Sequence, residues 1–336
     1  MATLQIENIT KTYKNKTVLD DFRLHLQEGE LMSLIGPSGC GKSTLLKIIA
    51  GIVSPDAGRI LIGERDVTAC PAHTRNAVLV FQDYHLFPHL TVEENIGFGL
   101  KMRGMKPARI DPVVHEMLER VQLHEHRYKH PRQLSGGQQQ RTALARALAV
   151  APEVLLLDEP FSNLDPALRQ QMRELLLQLQ KQLNITTLLV THDREEAMLL
   201  SDRITVLLQH RPEQVGTPEE IYHFPRTRQV ADYFGASAYM TGHIENGLLI
   251  TDFYERPVHA DPGTVQVLIR PEDVVTDCDG IPYRIVAREY LGDSCLYTLA
   301  RGAHRLRMRT HPMQRMDEGT TVRVQVRSNT PVFFPV

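Results

Sequence analysis

An α/β domain followed by a smaller all-β domain is the fold class this sequence predicts, and three observations carry it. Short, continuously apolar runs, "LMSLIG" (31–36), "VLLLD" (154–158) and "TTLLVTH" (186–192), alternate with helix-period segments over residues 1–235, as buried parallel strands and their crossovers do. A glycine-rich loop, "GPSGCGKST" from Gly36, follows the first of these runs and precedes the helical "TLLKIIAG". From residue 236 to 336 the pattern changes to brief runs such as "VQVLIRPED", "RIVAREYLGDSCLYTLA" and "TVRVQVRSN", broken by Gly, Pro and Asp, the pattern of a small β-barrel.

The totals agree with two globular domains. The chain has 336 residues, of which 42% are hydrophobic and 23% charged. A net charge of -2 gives no general attraction to polyanions, so no nucleic-acid partner is expected. Cys40, Cys70, Cys278 and Cys295 contain no Cys-x-x-Cys pair, which fits neither a disulfide framework nor a zinc module and points to a reducing cytoplasm. The first residues, "MATLQIENITKTYKNK", alternate Leu4, Ile6 and Ile9 with polar positions, so they read as a strand at the start of the chain and not as a secretion signal. No run approaches the roughly 20 apolar residues a membrane span needs, and "AMLLSDRITVLL" is broken by Asp202 and Arg203. Any membrane role is borrowed from a partner.

Taken in order, the elements after the first glycine loop begin with a helical insertion over 85–150. "LTVEENIGFGL" opens with a Thr91/Glu94 capping-box pattern, and "RIDPVVHEMLERVQL" puts Asp111 before Pro112 as a helix start. Ser135-Gly136-Gly137-Gln138 forms a second capping box, followed by "QQQRTALARALAV" with Ala143, Leu144, Ala147 and Leu148 on one face. In "DPALRQQMRELLLQLQKQLN", Pro166 suits a first helical turn. Leu168, Met172, Leu175, Leu176, Leu179 and Leu183 then form one stripe. The change to the β-rich domain falls within "RQVADYFGASAYMTG".

The chemistry starts at the loop Gly36-Pro37-Ser38-Gly39-Cys40-Gly41-Lys42-Ser43-Thr44. Its glycines let backbone N–H groups turn toward phosphate oxygens, Lys42 neutralises the β- and γ-phosphates, and Ser43 offers a hydroxyl to Mg2+. Asp158 ends a buried strand, where an α/β sheet presents its ligands, and suits the metal shell; Glu159 beside it suits water activation. His192 at another strand tip reaches the γ-phosphate or plays a structural part. The helix start at Ser135 is a second anion site. One chain thus carries one cradle, one Asp-Glu pair and one serine-glycine helix start, with no second nucleotide site for the last to serve.

"GPSGCGKST", "LSGGQQQR", "VLLLDEP", "SNLD" and "THD", in this order, resemble the nucleotide-binding subunits of ABC transporters over essentially the first 230 residues. The resemblance implies a P-loop NTPase ABC cassette that binds ATP and Mg2+ and pairs head to tail with a second copy of itself. Ser135, Gly136, Gly137 and Gln138 then meet the nucleotide held by the partner's cradle. It also implies an adenine platform at Tyr13, a Q-loop at Gln82 that touches the metal and relays closure to a membrane subunit, a dimer-crossing Asp165, and a switch histidine at His192. "VLIRPEDV" (267–274) with "REYLGDSCLYTLA" resembles the TOBE domain, an OB-like barrel, and "EQVGTPEEIYHFP" (213–225) resembles the junction before it in importer ATPases.

Such a subunit sits peripherally on the cytoplasmic face of the inner membrane with two transmembrane permease subunits, in a complex with an extracytoplasmic solute-binding protein. The importer branch for polyamine, ferric iron or an oxyanion is favoured, with a sugar importer as the alternative. A soluble ABC ATPase uncoupled from transport is the rival class, and a P-loop small-molecule kinase leaves the second loop without a task. His210 and Pro212 stand where importer relatives carry a glycine-containing turn, so an altered hairpin is expected there. His115, His124, His126 and His130 read as a solvated helical face and not as a metal site, and Cys40 as a thiol whose alkylation ATP blocks.

Overall fold

The computed structural model describes residues 2–235, 238–328 and 330–336, and the chain divides into two compact units, Met1–Pro218 and Glu219–Val336. The division expected between residues 235 and 236 falls at residues 236 and 237, which lie outside the described residues. The compact units part earlier because the segment after Pro218 is tied to the β-rich unit. The Tyr222 hydroxyl donates to Glu272, and Ala231 packs with Leu268 and Phe334.

The first unit opens with β1 (Leu4–Tyr13) and β2 (Lys16–Leu26), a hairpin whose two turn residues, Lys14 and Asn15, have φ of 45° and 67°. Two left-handed residues match the twist of the flanking strands and set Tyr13 opposite Lys16. After β3 (Leu31–Ile35) and α1 (Lys42–Ile49), β4 (Ala57–Ile62) and β5 (Arg65–Asp66) complete an antiparallel sheet of order β2-β1-β4-β5. The chain continues through β6 (Ala77–Val80), the helical insertion α2 (Val92–Met102), α3 (Pro107–Arg120) and α4 (Gly136–Ala149), then β7 (Val154–Asp158), α5 (Pro166–Leu183), β8 (Thr186–Val190), α6 (Arg194–Leu200), β9 (Arg203–Leu208) and β10 (Arg211–Gly216). The second sheet has order β10-β9-β3-β8-β7-β6, parallel except for the edge strand β10.

Both faces of this sheet are covered, which is why its strands read as continuous apolar runs. Side chains alternate across a strand, and β7 divides accordingly. Leu155 and Leu157 pack with the helices α2 to α5, while Val154 and Leu156 pack with α1 and the antiparallel sheet. Each fully buried leucine contributes about 1.5–3 kcal/mol of transfer free energy, so the carboxyl edge of the sheet rests on a firm base.

The Thr91/Glu94 capping box at α2 and the Ser135/Gln138 box at α4 both form. Helix α3 corrects the sequence reading: it begins at Pro107, not after Asp111, and Pro112 lies inside it. Pro107 already supplies the preset φ of a first turn. The carbonyl that Pro112 leaves without a donor belongs to Ala108, which is exposed and open to water. The hairpin at His210 also forms. Gln209 and His210 take φ of 47° and 70°, and His210 Nδ1 lies 3.1 Å from Val18 O, so a held histidine replaces the conformational freedom of glycine. Pro212 is tolerated because β10 is an edge strand, with a register shift between Pro212 and Gln214.

The second unit carries the short helices α7 (Pro218–His223, whose first residue belongs to the first unit) and α8 (Arg228–Tyr233), then β11 (Ala238–Glu245), β12 (Leu248–Ile250), β13 (Glu255–Pro257), β14 (Gly263–Ile269), β15 (Val274–Tyr290), β16 (Cys295–Arg301), β17 (His304–Thr310), β18 (Thr321–Val326) and β19 (Phe333–Pro335). These make two antiparallel sheets, β13-β12-β11-β14-β19 and β17-β16-β15-β18, around one core that includes Val267, Tyr283, Ile285, Tyr297, Leu299 and Met308. The long β15 shifts register against β18 between Thr276 and Ile281. A Cβ on Gly280 within that bulge would lie 2.5 Å from Val324 O, so only glycine fits.

Candidate active site

The glycine-rich loop leaves β3 at Ile35 and is shaped by close backbone approach on two sides. A Cβ on Gly36 would lie 2.2 Å from Leu207 O, and one on Gly41, whose φ is +109°, would lie 2.5 Å from Val18 O. Gly41 is the N-cap of α1 and brings no side-chain acceptor, so the first N–H groups of that helix are uncapped by side chains. Pro37, Ser38 and Gly39 form an exposed rim, with open space around Gly39, whereas Cys40 and Lys42 are buried and Thr44 is half-buried. Lys42 Nζ donates to Gly36 O at 2.7 Å and Pro37 O at 2.9 Å. A buried ammonium resting on two neutral carbonyls, beside uncapped N–H groups and an open rim, is a fitting receptor for a polyphosphate.

Burial pushes the Cys40 thiol above its ordinary pKa, against the opposing effect of Lys42. Burial thus disfavours the nucleophilic thiolate and opposes the alkylation expected from the sequence.

The carboxyl edge of the sheet gathers the acidic groups. Ser43 Oγ donates to Asp158 Oδ1 at 3.1 Å. Burial raises the Asp158 pKa and the adjacent Glu159 adds to this, while the Ser43 hydrogen bond opposes it. A hydroxyl and a destabilised carboxylate are hard oxygen donors of the kind Mg2+ takes. In the register of β6 on β7, Val80 lies beside Leu157, so Gln82 emerges, exposed, at the same edge.

Glu159 follows Asp158 with φ +47°, a left-handed conformation rare for a non-glycine residue, and its N–H donates to Val190 O at 2.9 Å. His192 Nδ1 lies 3.0 Å from Glu159 Oε2. A cavity of about 50 Å³ bounded by Glu159, Ser162, Arg169, His192 and Asp193 has room for water. A carboxylate oriented by an imidazole beside a water pocket can act as a general base.

The other sequence-marked residues lie apart from this cluster. Tyr13 is 45% exposed, with Lys11 Nζ 5.4 Å from its ring centroid. Asp165 is the N-cap of α5 and accepts from Leu168 N at 3.0 Å. At α4, Ser135 Oγ accepts from Gln138 N at 3.3 Å and Gln138 Oε1 accepts from Ser135 N at 3.0 Å. A Cβ on Gly136 would meet nothing within 4 Å, while one on Gly137 would lie 2.6 Å from Leu168 Cδ1. Among the described residues no hydrogen bond joins 135–138 to the cradle at 36–44.

Two residues that the sequence reading passed over, Gln140 and Arg146, and one that it placed on a solvated face, His126, connect these parts. Gln140 Nε2 donates to Pro160 O at 2.7 Å, tying α4 to the turn after Glu159. Arg146 donates to Tyr84 O at 2.9 Å and His85 O at 3.0 Å, clamping the loop that follows Gln82. His126 Nε2 lies 2.9 Å from Gln138 Nε2. Because Gln138 Oε1 is already used in the cap, the amide nitrogen donates and His126 accepts. Nothing in the sequence marked Gln140 and Arg146 out from other polar residues of α4 such as Gln139 and Arg141.

Residues 19–162 match the ABC transporter family and residues 267–334 the TOBE domain. The spermidine/putrescine import ATP-binding protein PotA of Pasteurella multocida (strain Pm70) is 43% identical over 290 residues, covering 82% of this chain and 77% of that protein. The chain belongs to the ATP-binding subunits of ABC importers. The sulfate/thiosulfate import ATP-binding protein CysA of Xanthomonas campestris pv. campestris is 44% identical over 287 residues, covering 83% of each chain. The Fe(3+) ions import ATP-binding protein FbpC of Photorhabdus laumondii subsp. laumondii is 43% identical over 286 residues, covering 82% of this chain and 80% of that one. A solved structure, the dimeric post-hydrolysis state of the ATP-binding cassette MJ0796 bound to ADP and Pi, superposes with a TM-score of 0.57 at 33% identity, over 64% of this chain and 98% of that chain. The cassette is thus an ATP hydrolase that energises solute import, with an α/β P-loop core and an all-β TOBE domain. None of its described helices is long and apolar enough to cross a membrane.

Proposed function

We propose that two copies of the cassette close head to tail on two ATP molecules, each copy's Ser135–Gln138 segment completing the site begun by the other's cradle. The observation that carries this is the start of α4: a capped helix N-terminus with open space at Gly136 and, among the described residues, no hydrogen bond to its own chain's cradle. In this reading Lys42 and the N–H groups of 36–44 hold the β- and γ-phosphates, Tyr13 stacks on the adenine, and Asp165 stands at the seam between the copies. Ser43, Asp158 and Gln82 would hold Mg2+, which when bound neutralises charge on the β- and γ-phosphate oxygens. Glu159, oriented by His192, takes a proton from water as the water oxygen bonds to the γ-phosphorus and the bond to the bridging oxygen of ADP breaks. Closure excludes bulk water and sets donors from both copies on one phosphate.

The helical insertion receives the permease in this scheme. A groove of about 630 Å³ between α2 and α3 is lined by Phe98, Met102, Met105, Ile110 and Val114, with Met102 63% exposed. Apolar side chains with two methionines, bordered by charged groups such as Glu93, Lys101, Asp111 and Arg127, suit a docked amphipathic helix of a membrane subunit. Arg146 and Gln140 link the neighbouring α4 to the loop after Gln82 and to the turn after Glu159, a mechanical route from docked permease to catalytic edge. The cassette then works at the cytoplasmic face of the inner membrane with two permease subunits and an extracytoplasmic solute-binding protein. Its solute is a polyamine, ferric ion or an oxyanion, the cargoes named in its relatives.

Complementation tests the arrangement. Ser135→Arg spoils the helix start and Lys42→Ala the cradle, so each variant alone is inactive. Mixed, they rebuild one intact site per hybrid pair only when the two loops act across chains. ATPase activity above the sum of the separate variants is expected; none above that sum rejects the head-to-tail pair.

A further inference from the structure

Three side chains that the nucleotide cycle does not use converge on the outer face of the helical insertion. His115 and Glu119 stand one turn apart on α3, and His124 comes from the 3₁₀ turn that follows it. One ligand atom from each lies within 4.8 Å of the other two, and His124 Nε2 is 3.9 Å from Glu119 Oε1. The two imidazole rings meet edge to face at 5.2 Å between centroids. The four histidines that the sequence placed on one solvated face are therefore separated by the fold: His126 turns to Gln138, while His115 and His124 pair around a carboxylate.

The backbone that makes this meeting is fixed. Gln122 takes φ +58°, Leu123 N donates to Leu118 O at 2.9 Å, and Val121 and Leu123 are buried, so the chain must return alongside the end of α3. Arg120, the nearest cation in sequence, is engaged with Glu116 at 2.7 Å and faces Gln182 at 3.1 Å.

We propose that His115, Glu119 and His124 form a zinc site with a fourth position open to water. Two imidazoles and one carboxylate are a ligand set Zn2+ takes, and the nitrogen donors select it over Mg2+. Bonds of about 2.0–2.1 Å in tetrahedral geometry bring ligand atoms to roughly 3.4 Å apart. The side chains must draw in by up to about 1.4 Å, which rotation of exposed side chains on a fixed backbone provides.

Zinc titration of the tag-free, nucleotide-free full chain against a chromophoric chelator tests this. One equivalent binds at pH 7.5, His124→Ala and His115→Ala each weaken it at least tenfold, and Glu119→Gln weakens it less. His304→Ala, which removes an exposed histidine of the β-rich unit, leaves it unchanged. Affinity falls as the pH is lowered, because protons compete with the metal for its ligand atoms. Zinc also raises the melting temperature of the wild-type chain and not that of His124→Ala, while the metal-free chains melt alike because these side chains are exposed. Wild-type affinity in His115→Ala or His124→Ala overturns the proposal, as does binding that disappears in Asp158→Asn, since the ion would then belong to the nucleotide site.

Discussion

The cradle at 36–44 and the helix start at 135–138 are both glycine-containing entries to a helix, yet they are built in opposite ways. At the cradle, Gly41 caps α1 with no side chain, and the loop's one ammonium rests on its own carbonyls. At α4, Ser135 and Gln138 close a reciprocal box and His126 holds the free end of Gln138. The first arrangement leaves donors waiting for an anion. The second satisfies its own N3 donor and rigidly presents a hydroxyl and two glycine N–H groups. A receptor that must wrap a triphosphate needs unspent donors, whereas a surface that only closes on a phosphate already held needs a fixed shape. The difference teaches that a glycine count does not define a phosphate loop; what matters is whether the chain has already satisfied the N–H groups.

The largest effect that sharpens this contrast comes from Glu159→Gln. If the cradle binds and the second loop only closes, removing the base leaves both steps intact and stops the chemistry. Turnover in a phosphate-release assay is expected to fall about 10²–10⁴-fold. ATP affinity stays near wild type, and ATP drives the variant into a dimer seen by light scattering. Near-normal turnover would remove Glu159 from the role. A variant that stays monomeric with ATP would break the two-loop picture instead.

A glycine exchange separates the loops next. Gly41→Ala forces a Cβ at φ +109° against Val18 O, a strain of about 1–3 kcal/mol that appears as a lower unfolding midpoint and lost ATP binding. Among the described residues outside its own helical turn, a Cβ at Gly136 meets nothing within 4 Å, so the stability of Gly136→Ala stays within about 0.5 kcal/mol of wild type. In the head-to-tail scheme the added methyl faces the partner's nucleotide. ATP hydrolysis is expected to fall while ATP affinity of the isolated chain holds. Equal behaviour of the two variants in both assays would mean the loops are the same kind of site.

How much of this was legible in the sequence follows from the range of each interaction. The buried strands and the cradle are local: composition over a few residues fixes them, and Lys42, Asp158 and the Ser135/Gln138 box stand where the chain places them. The start of α3 was misread because two prolines compete, and Pro107 prevails where the exposed Ala108 carbonyl can turn to water. Gln140 and Arg146 were missed, and His126 was read as solvated, for a different reason. Their partners are a backbone carbonyl 20 residues on in the chain, two carbonyls 61 and 62 residues back, and a side chain 12 residues away, none of which leaves a periodic trace. Likewise the His115–Glu119–His124 cluster depends on a left-handed Gln122 that no composition rule predicts.

The smallest effect is the most discriminating, because the fold supplies its own control. Thr91 caps α2 with the same reciprocal box that Ser135 makes at α4. Replacing either with alanine removes one cap and costs about 0.5–2 kcal/mol, so Thr91→Ala and Ser135→Ala should shift the denaturant midpoint to a similar extent. If Ser135 were only a cap, the two variants would also match in ATPase rate once corrected for the folded fraction. The head-to-tail scheme gives the Ser135 hydroxyl a second partner, a charged phosphate, and a hydrogen bond to a charged group is worth about 1.5–3 kcal/mol. Hydrolysis by Ser135→Ala is therefore expected to fall tenfold or more below that of Thr91→Ala at matched stability, with ATP affinity of the separate chains the same. Matching rates would confine Ser135 to its own helix and remove it from the proposed site on the partner.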